Sequence, residues 1–156
     1  MTVLPGPIRQ IGFVVPDLDA ALADWVNLGL GPWFVMRGLP LRGLYRGEPC
    51  ETVLSVALAH SGDLQVELIC QDDQTPSIFT EFLSSGSAGF HQLTYWATDL
   101  DATMAAVRAA GWPVVCEGGG DFGVRFAYVE PPNSPVAVIE IAELTEATAA
   151  RAALHP

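Results

Sequence analysis

The sequence predicts an α+β fold of two tandem βαβββ modules in a single domain spanning 1–156, and three observations lead there. The first is an internal repeat: RQIGFVVPDLDAALADWVNLG (9–29) lies over HQLTYWATDLDATMAAVRAAG (91–111) without a gap, at an offset of 82 residues. The second is a shared order inside each copy, with an apolar and aromatic run, an Asp, apolar positions at helical spacing, and a closing glycine. The third is that three further strand-like runs follow each helix.

The first module covers 8–72. Its opening run reads as a strand, and Asp17 then stands where a side chain accepts from the first orphan amides of a helix. Leu18, Leu22, Trp25 and Val26 recur with helical spacing, and Gly29 closes the helix. PWFVMR, ETVLSVALA and LQVELIC then read as strands, the last two joined by the turn HSGD (60–63). Residues 73–88 form a connection: a polar loop, then a short helix from Pro76-Ser77 carrying Ile78, Phe79, Phe82 and Leu83.

The second module covers 89–143 and repeats the order. Asp99 caps a helix whose apolar face is Leu100, Met104 and Val107, and Gly111 ends it. PVVCE, VRFAYVE and VAVIEIAEL supply strands, with PPNSP (131–135) as the turn between the last two. The tail 144–156 is predicted to be a surface helix.

Composition narrows the chemistry. The net charge is −11, and all seven basic residues are arginines, so nucleic acid and an anionic membrane are poor partners. The absence of lysine removes Schiff-base catalysis and a phosphate-loop lysine. Cys50, Cys70 and Cys116 are far apart and unpaired by spacing, which speaks against a disulfide framework or thiolate zinc site. Apolar runs stop short of the roughly 18 residues of a membrane helix, and the N-terminus lacks a signal-like pattern, so a cytoplasmic location is expected.

The doubled strand-DLDA-helix pattern and the strand motifs VELI (66–69) and VIEI (138–141) resemble the vicinal oxygen chelate superfamily. That superfamily includes glyoxalase I, methylmalonyl-CoA epimerase, extradiol dioxygenases and fosfomycin and bleomycin resistance proteins. GLGPWFV and SGDLQVELI look most like the glyoxalase-like branch near the epimerases. The resemblance implies a mixed sheet curled around a shared cavity, with four metal-holding positions on the first and last strands of each module. Those positions fall on Gln10, Glu67, Gln92 and Glu140. His91 is the alternative to Gln92, reached if a bulge turns it inward, which would give the glyoxalase I set of Gln, Glu, His and Glu. Without a bulge, His91 belongs on the opposite face near Leu93 and Tyr95.

Independently of any family, each glutamate interrupts an apolar strand, where an unpaired carboxylate is costly to bury. A carboxylate kept there needs a metal, a cationic partner or a shared proton. An all-oxygen set suits Mg²⁺, Mn²⁺ or Ca²⁺, with Zn²⁺, Ni²⁺ and Co²⁺ as competitors; with weak amide ligands, a metal-free pair sharing one proton is the alternative. Trp33, Phe34, Tyr95, Trp96, Arg125, Phe126 and Tyr128 are candidate substrate-pocket residues. Arg37, Arg42 and Arg46 are further candidates for holding an anion. His60 and His155 read as exposed, and GGGDFG (118–123) as a flexible loop.

The resulting expectation is a metal-dependent isomerase, epimerase or lyase that moves a proton next to a carbonyl of a small, partly apolar substrate. Glu67 and Glu140 would serve as acid and base. Nothing marks a glutathione site, and an extradiol iron site would need histidines at Gln10 and Gln92. The alternative is a metal-free binding or sequestration protein of the resistance type. A homodimer is the expected assembly.

Overall fold

The structure, a computed structural model, describes residues 2–120 and 124–146. The first module contributes β1 (Gln10–Val14), α1 (Leu18–Asn27), β2 (Phe34–Tyr45), β3 (Glu48–Ser61) and β4 (Leu64–Gln71). A connecting helix, α2 (Ile78–Ser84), leads to β5 (Gly89–Ala97), α3 (Leu100–Ala109), β6 (Val114–Gly120), β7 (Arg125–Val129) and β8 (Val138–Glu143). The expected βαβββ order is thus present twice.

The repeated Asp does the same work in both copies. Asp17 Oδ1 accepts from the Ala20 amide at 3.0 Å, and Asp99 Oδ1 from the Ala102 amide at 2.9 Å. Each such cap stabilises its helix by about 1 kcal/mol. Helix α2 begins with a capping box between Ser77 and Thr80.

In each module the first strand runs parallel to the last: β1 pairs with β4, and β5 with β8. The remaining pairs inside the modules are antiparallel hairpins. Two antiparallel seams join the modules, β1 to β5 and β2 to β6, so the sheet closes as a barrel in the order β1-β4-β3-β2-β6-β7-β8-β5. The curled mixed sheet expected from the sequence is therefore a closed one.

Closure at the second seam depends on glycine. Gly43 and Gly118 are register partners; a Cβ at Gly43 would lie 2.2 Å from the Glu117 carbonyl oxygen, and one at Gly118 would lie 2.3 Å from that of Arg42. Only residues without a side chain let the backbones approach this closely. This corrects the reading of GGGDFG as a loop: Gly118–Gly120 belong to β6, while 121–123 lie outside the described residues. Likewise β2 extends past PWFVMR through Pro40 to Tyr45. A two-residue turn at Arg46 and Gly47, both with positive φ, returns the chain to β3.

The helices divide the packing. Leu18 of α1 covers Ala57 and Leu68, while Met104 and Val107 of α3 pack on Ala127, Val129, Ile139 and Ile141. Ile78 and Phe79 of α2 cover the barrel end where β1 finishes, against Val14, Leu54, Ile69 and Tyr128. No helix among the described residues is long and apolar enough to cross a membrane. The cysteines are free and half-buried; burial pushes the Cys116 thiol up to about 12, which leaves it inert. The predicted tail helix, from residue 147 onward and including His155, lies outside the described residues.

Candidate active site

Strand β5 does not keep simple alternation. Gly12 of β1 pairs with Gln92, but the next residue, Phe13, pairs with Phe90, so His91 is an extra residue in the ladder. A bulge of this kind re-aims a side chain. Both His91 and Gln92 are buried, at 1% and 0% exposure, and they touch each other through their side chains. His91 therefore does not lie on the outer face beside Leu93 and Tyr95. It packs at 4.7 Å from the Phe82 ring, 6.0 Å from Phe79 and 6.2 Å from Tyr128.

Gln92 is fully buried behind the cavity wall and reaches it only through Glu140 and Tyr128. Its Nε2 donates to Glu140 Oε2 at 2.7 Å and to Tyr128 Oη at 3.3 Å, while His91 Nδ1 lies 2.7 Å from its Oε1. Room for this side chain comes from β1, because a Cβ at Gly12 would stand 2.6 Å from Gln92 Cδ. Thr94 Oγ1 adds a second donor to Glu140 Oε2, at 2.9 Å.

The other carboxylate is less well served. Gln10 Nε2 donates to Gln65 Oε1 at 2.6 Å and reaches Glu67 Oε2 only at 3.5 Å. The 82-residue offset makes Gly12 the counterpart of Thr94, so Glu67 lacks the hydroxyl that Glu140 receives. Gln65 and Thr94 are site residues that sequence reasoning missed. Each stands two positions from a residue it named, on the same strand face.

These surroundings separate the two acids. Burial, then the negative charge of Glu140, push the Glu67 carboxyl well above the usual carboxylate range, and the Gln10 amide offsets little of that. Burial also raises Glu140, but donation from Thr94 and Gln92 holds it to about 7. Both carboxyls are raised, and Glu140, with two short donors to its ionised form against one long one for Glu67, is the better placed of the two to carry the charge. Burial raises Tyr128 as well, so it remains a phenol, and it lowers His91, which remains neutral.

The donors that the site presents bear on whether it fits a metal. Gln10 turns its nitrogen toward Gln65 and Glu67, and Gln92 turns its nitrogen toward Glu140 and Tyr128. An amide binds a cation through oxygen, and the Gln92 oxygen is already held by His91. Turning both amides would break these bonds. The residues as arranged do not fit a divalent-metal centre.

Both glutamates face a cavity of about 740 Å³ inside the barrel. Gln10, Gln65, Glu67, Thr94, Tyr128 and Glu140 form its polar side, and Met36, Leu39, Leu41, Leu54, Val56 and Leu58 its aliphatic side. Of the aromatic candidates, Phe34, Trp96, Phe126 and Tyr128 line it. Three others lie elsewhere. Trp33 packs on Trp25 against α1, Tyr95 joins the cluster beneath α3, and Arg125 is exposed in ion pairs with Asp101 and Glu143. Alternation explains Tyr95, which points away from the face shared by Thr94 and Trp96. Arg37, Arg42 and Arg46 are likewise paired on the outside, with Asp19, Glu51 and Glu81.

A family model described as the Glyoxalase/Bleomycin resistance protein/Dioxygenase superfamily matches residues 9–128. Among solved structures, methylmalonyl-CoA epimerase from Mycobacterium tuberculosis is similar with a TM-score of 0.65 at 23% identity, covering 96% of this chain and 94% of that one. A Streptomyces coelicolor methylmalonyl-CoA epimerase variant in complex with 2-nitronate-propionyl-CoA aligns with a TM-score of 0.64 at 19% identity, covering 90% and 95%. A comparison with curated proteins finds no match.

Proposed function

The chain belongs to the Glyoxalase/Bleomycin resistance protein/Dioxygenase superfamily, and on that premise we propose that it is an isomerase or epimerase that moves a proton next to a carbonyl. The observation that carries this reading is the unequal pair of enclosed carboxylates on one side of the cavity. Glu140 receives two short hydrogen bonds and Glu67 one long one.

In this reading Glu140 is the base. It breaks a C–H bond beside the substrate carbonyl and takes the proton, and the electron pair moves into the carbonyl to give an enolate. Tyr128 accepts from Gln92, which leaves its own O–H available to donate to the developing oxyanion. Glu67, protonated in this reading, returns a proton to carbon and becomes the carboxylate. Return of the Glu140 proton to Glu67, directly or through solvent, restores the starting state. Gln92, itself fixed by His91, orients the base.

The epimerases similar in fold act on methylmalonyl-CoA by name, which supports proton transfer beside a carbonyl as the reaction class. The resident metal expected from the sequence has no role in these steps. Incubation with 2-oxo compounds, ketones and acyl-CoA thioesters in deuterated water, followed by mass spectrometry, tests the reading. The expected result is deuterium uptake that Glu140→Gln abolishes; a folded wild type that labels none of them is a binding protein instead.

A further inference from the structure

The walls of the cavity are arranged by strand. Around the closed barrel, β4, β1, β5, β8 and β7 are contiguous, and among the described residues they carry every polar side chain that faces the cavity: Gln65 and Glu67, Gln10, Thr94, Glu140 and Glu143, and Tyr128. The neighbouring strands β3 and β2 supply only Leu54, Val56, Leu58, Phe34, Met36, Leu39, Pro40 and Leu41. A ligand thus meets hydrogen-bonding groups along one side and hydrocarbon along the other.

Charge adds a stronger restriction. The chain has no lysine, and no arginine or histidine among the described residues lines the cavity. Arg37, Arg42, Arg46 and Arg108 are in ion pairs on the outer surface, Arg125 is held by Asp101 and by Glu143 at the cavity wall, and Arg9 lies over the Trp96 ring at 4.8 Å. The ionisable groups that do face the space, Glu67, Glu140, Tyr128 and Glu143, become neutral or negative. A carboxylate or phosphate brought inside would lose its water with no cationic side chain among the described lining residues to compensate it. The volume, about 740 Å³, lies within the range that encloses a drug-sized molecule.

We infer that the ligand of this cavity is an uncharged, mostly hydrocarbon ketone, its carbonyl end toward Glu67 and Glu140 and its carbon skeleton against β2 and β3. This deepens the proton-transfer reading and rests on it only for the placement of the carbonyl. The acyl-CoA thioesters bound by proteins of similar fold carry phosphates for which the described residues of these walls offer no cationic partner.

Direct binding to the full chain tests the inference, with calorimetry as the primary measure and Trp96 emission as a reporter inside the cavity. The probes are progesterone and carvone as neutral ketones, cholate and perillate as anions of comparable skeleton, and propionyl-CoA as the thioester. At least one ketone is expected to bind roughly 100-fold more tightly than its anionic counterpart. Leu58→Arg, or Leu41→Arg should the first not fold, is expected to narrow that ratio by about tenfold. Equal or tighter binding of the anions or of propionyl-CoA overturns the inference, and so does failure of both ketones to bind. Deuterium uptake separates the two claims. A ketone that binds without exchanging leaves the ligand class standing and sinks the reaction, whereas exchange into propionyl-CoA alone does the reverse.

Discussion

His91 Nδ1 stands 2.7 Å from the side-chain oxygen of Gln92, so the histidine reaches the carboxylate of Glu140 only through the amide beside it. Because the Gln92 nitrogen is committed to Glu140 and Tyr128, its oxygen must face the imidazole, and Nδ1 must carry the proton. Replacing His91 by Phe keeps a ring against Phe82 and leaves the buried amide oxygen unsatisfied. His91→Phe is expected to lose about 1–3 kcal/mol of stability in urea unfolding and to reduce deuterium uptake without removing it.

Thr94 donates to the ionised form of Glu140 and so lowers a carboxyl that burial would otherwise raise further. Thr94→Val removes that donor at nearly constant volume. The acidic limb of the uptake-against-pH profile, expected near the Glu140 value of about 7, should then move to higher pH. An unmoved limb would show that Glu140 is not the group being titrated.

Folding itself should depend on pH in a direction unusual for carboxylates. Glu140 is raised from 4.5 unfolded to about 7 folded, and Glu67 is raised as well. Between those values the folded state binds more protons than the unfolded chain. Their contribution is therefore fully present below about pH 4.5 and is lost as pH rises through 7, by a few kcal/mol. Asp101 and Glu143, lowered by Arg125, act in the opposite sense, their contribution disappearing as the medium becomes acidic. Urea midpoints at pH 5 and pH 8 check this, and Glu67→Gln with Glu140→Gln should flatten the difference.

Gly12→Ala places a methyl 2.6 Å from Gln92 Cδ, which must move. A destabilisation of about 1–3 kcal/mol is expected from overpacking, and Gln92→Ala in the same chain should relieve much of it. Additive losses in that double-mutant cycle would separate the two residues. Gly43→Ala meets backbone instead of a side chain and should prevent the β2–β6 seam from forming.

With both amides turned nitrogen-first, the wild type should show no thermal shift beyond noise with Mg²⁺, Mn²⁺, Zn²⁺, Ni²⁺ or Co²⁺. Gln10→His with Gln92→His supplies imidazole nitrogens beside two carboxylates, and that variant should gain stability with Zn²⁺ or Ni²⁺. A wild type that responds strongly would mean that the amides do turn.

Much of the fold was legible because one physical pattern was written twice. The aligned Asp17 and Asp99 mark both helix starts, and the apolar runs around Glu67 and Glu140 mark the last strands. What escaped were features in which tertiary pairing overrides local preference. Pro40 and Gly43 in β2 and Gly118–Gly120 in β6 carry residues that weaken strands, yet they are held there by the seam. The bulge at His91 was foreseen only as an alternative, because no residue type announces a register shift created by the partner strand. Tyr95 and Trp33 were named for being aromatic, a property that core and cavity positions share.

Gly12 bears on how such a site can arise. Two identical modules paired about a symmetry axis would have to give both carboxylates the same neighbours, a change at one being repeated at the other. Carried on one chain, equivalent positions are free to diverge: the second copy has a hydroxyl at Thr94, and the first has nothing at Gly12. Identical halves can share one proton but cannot assign it; covalent fusion lets the chain fix which of two glutamates on matching strands is the better hydrogen-bonded.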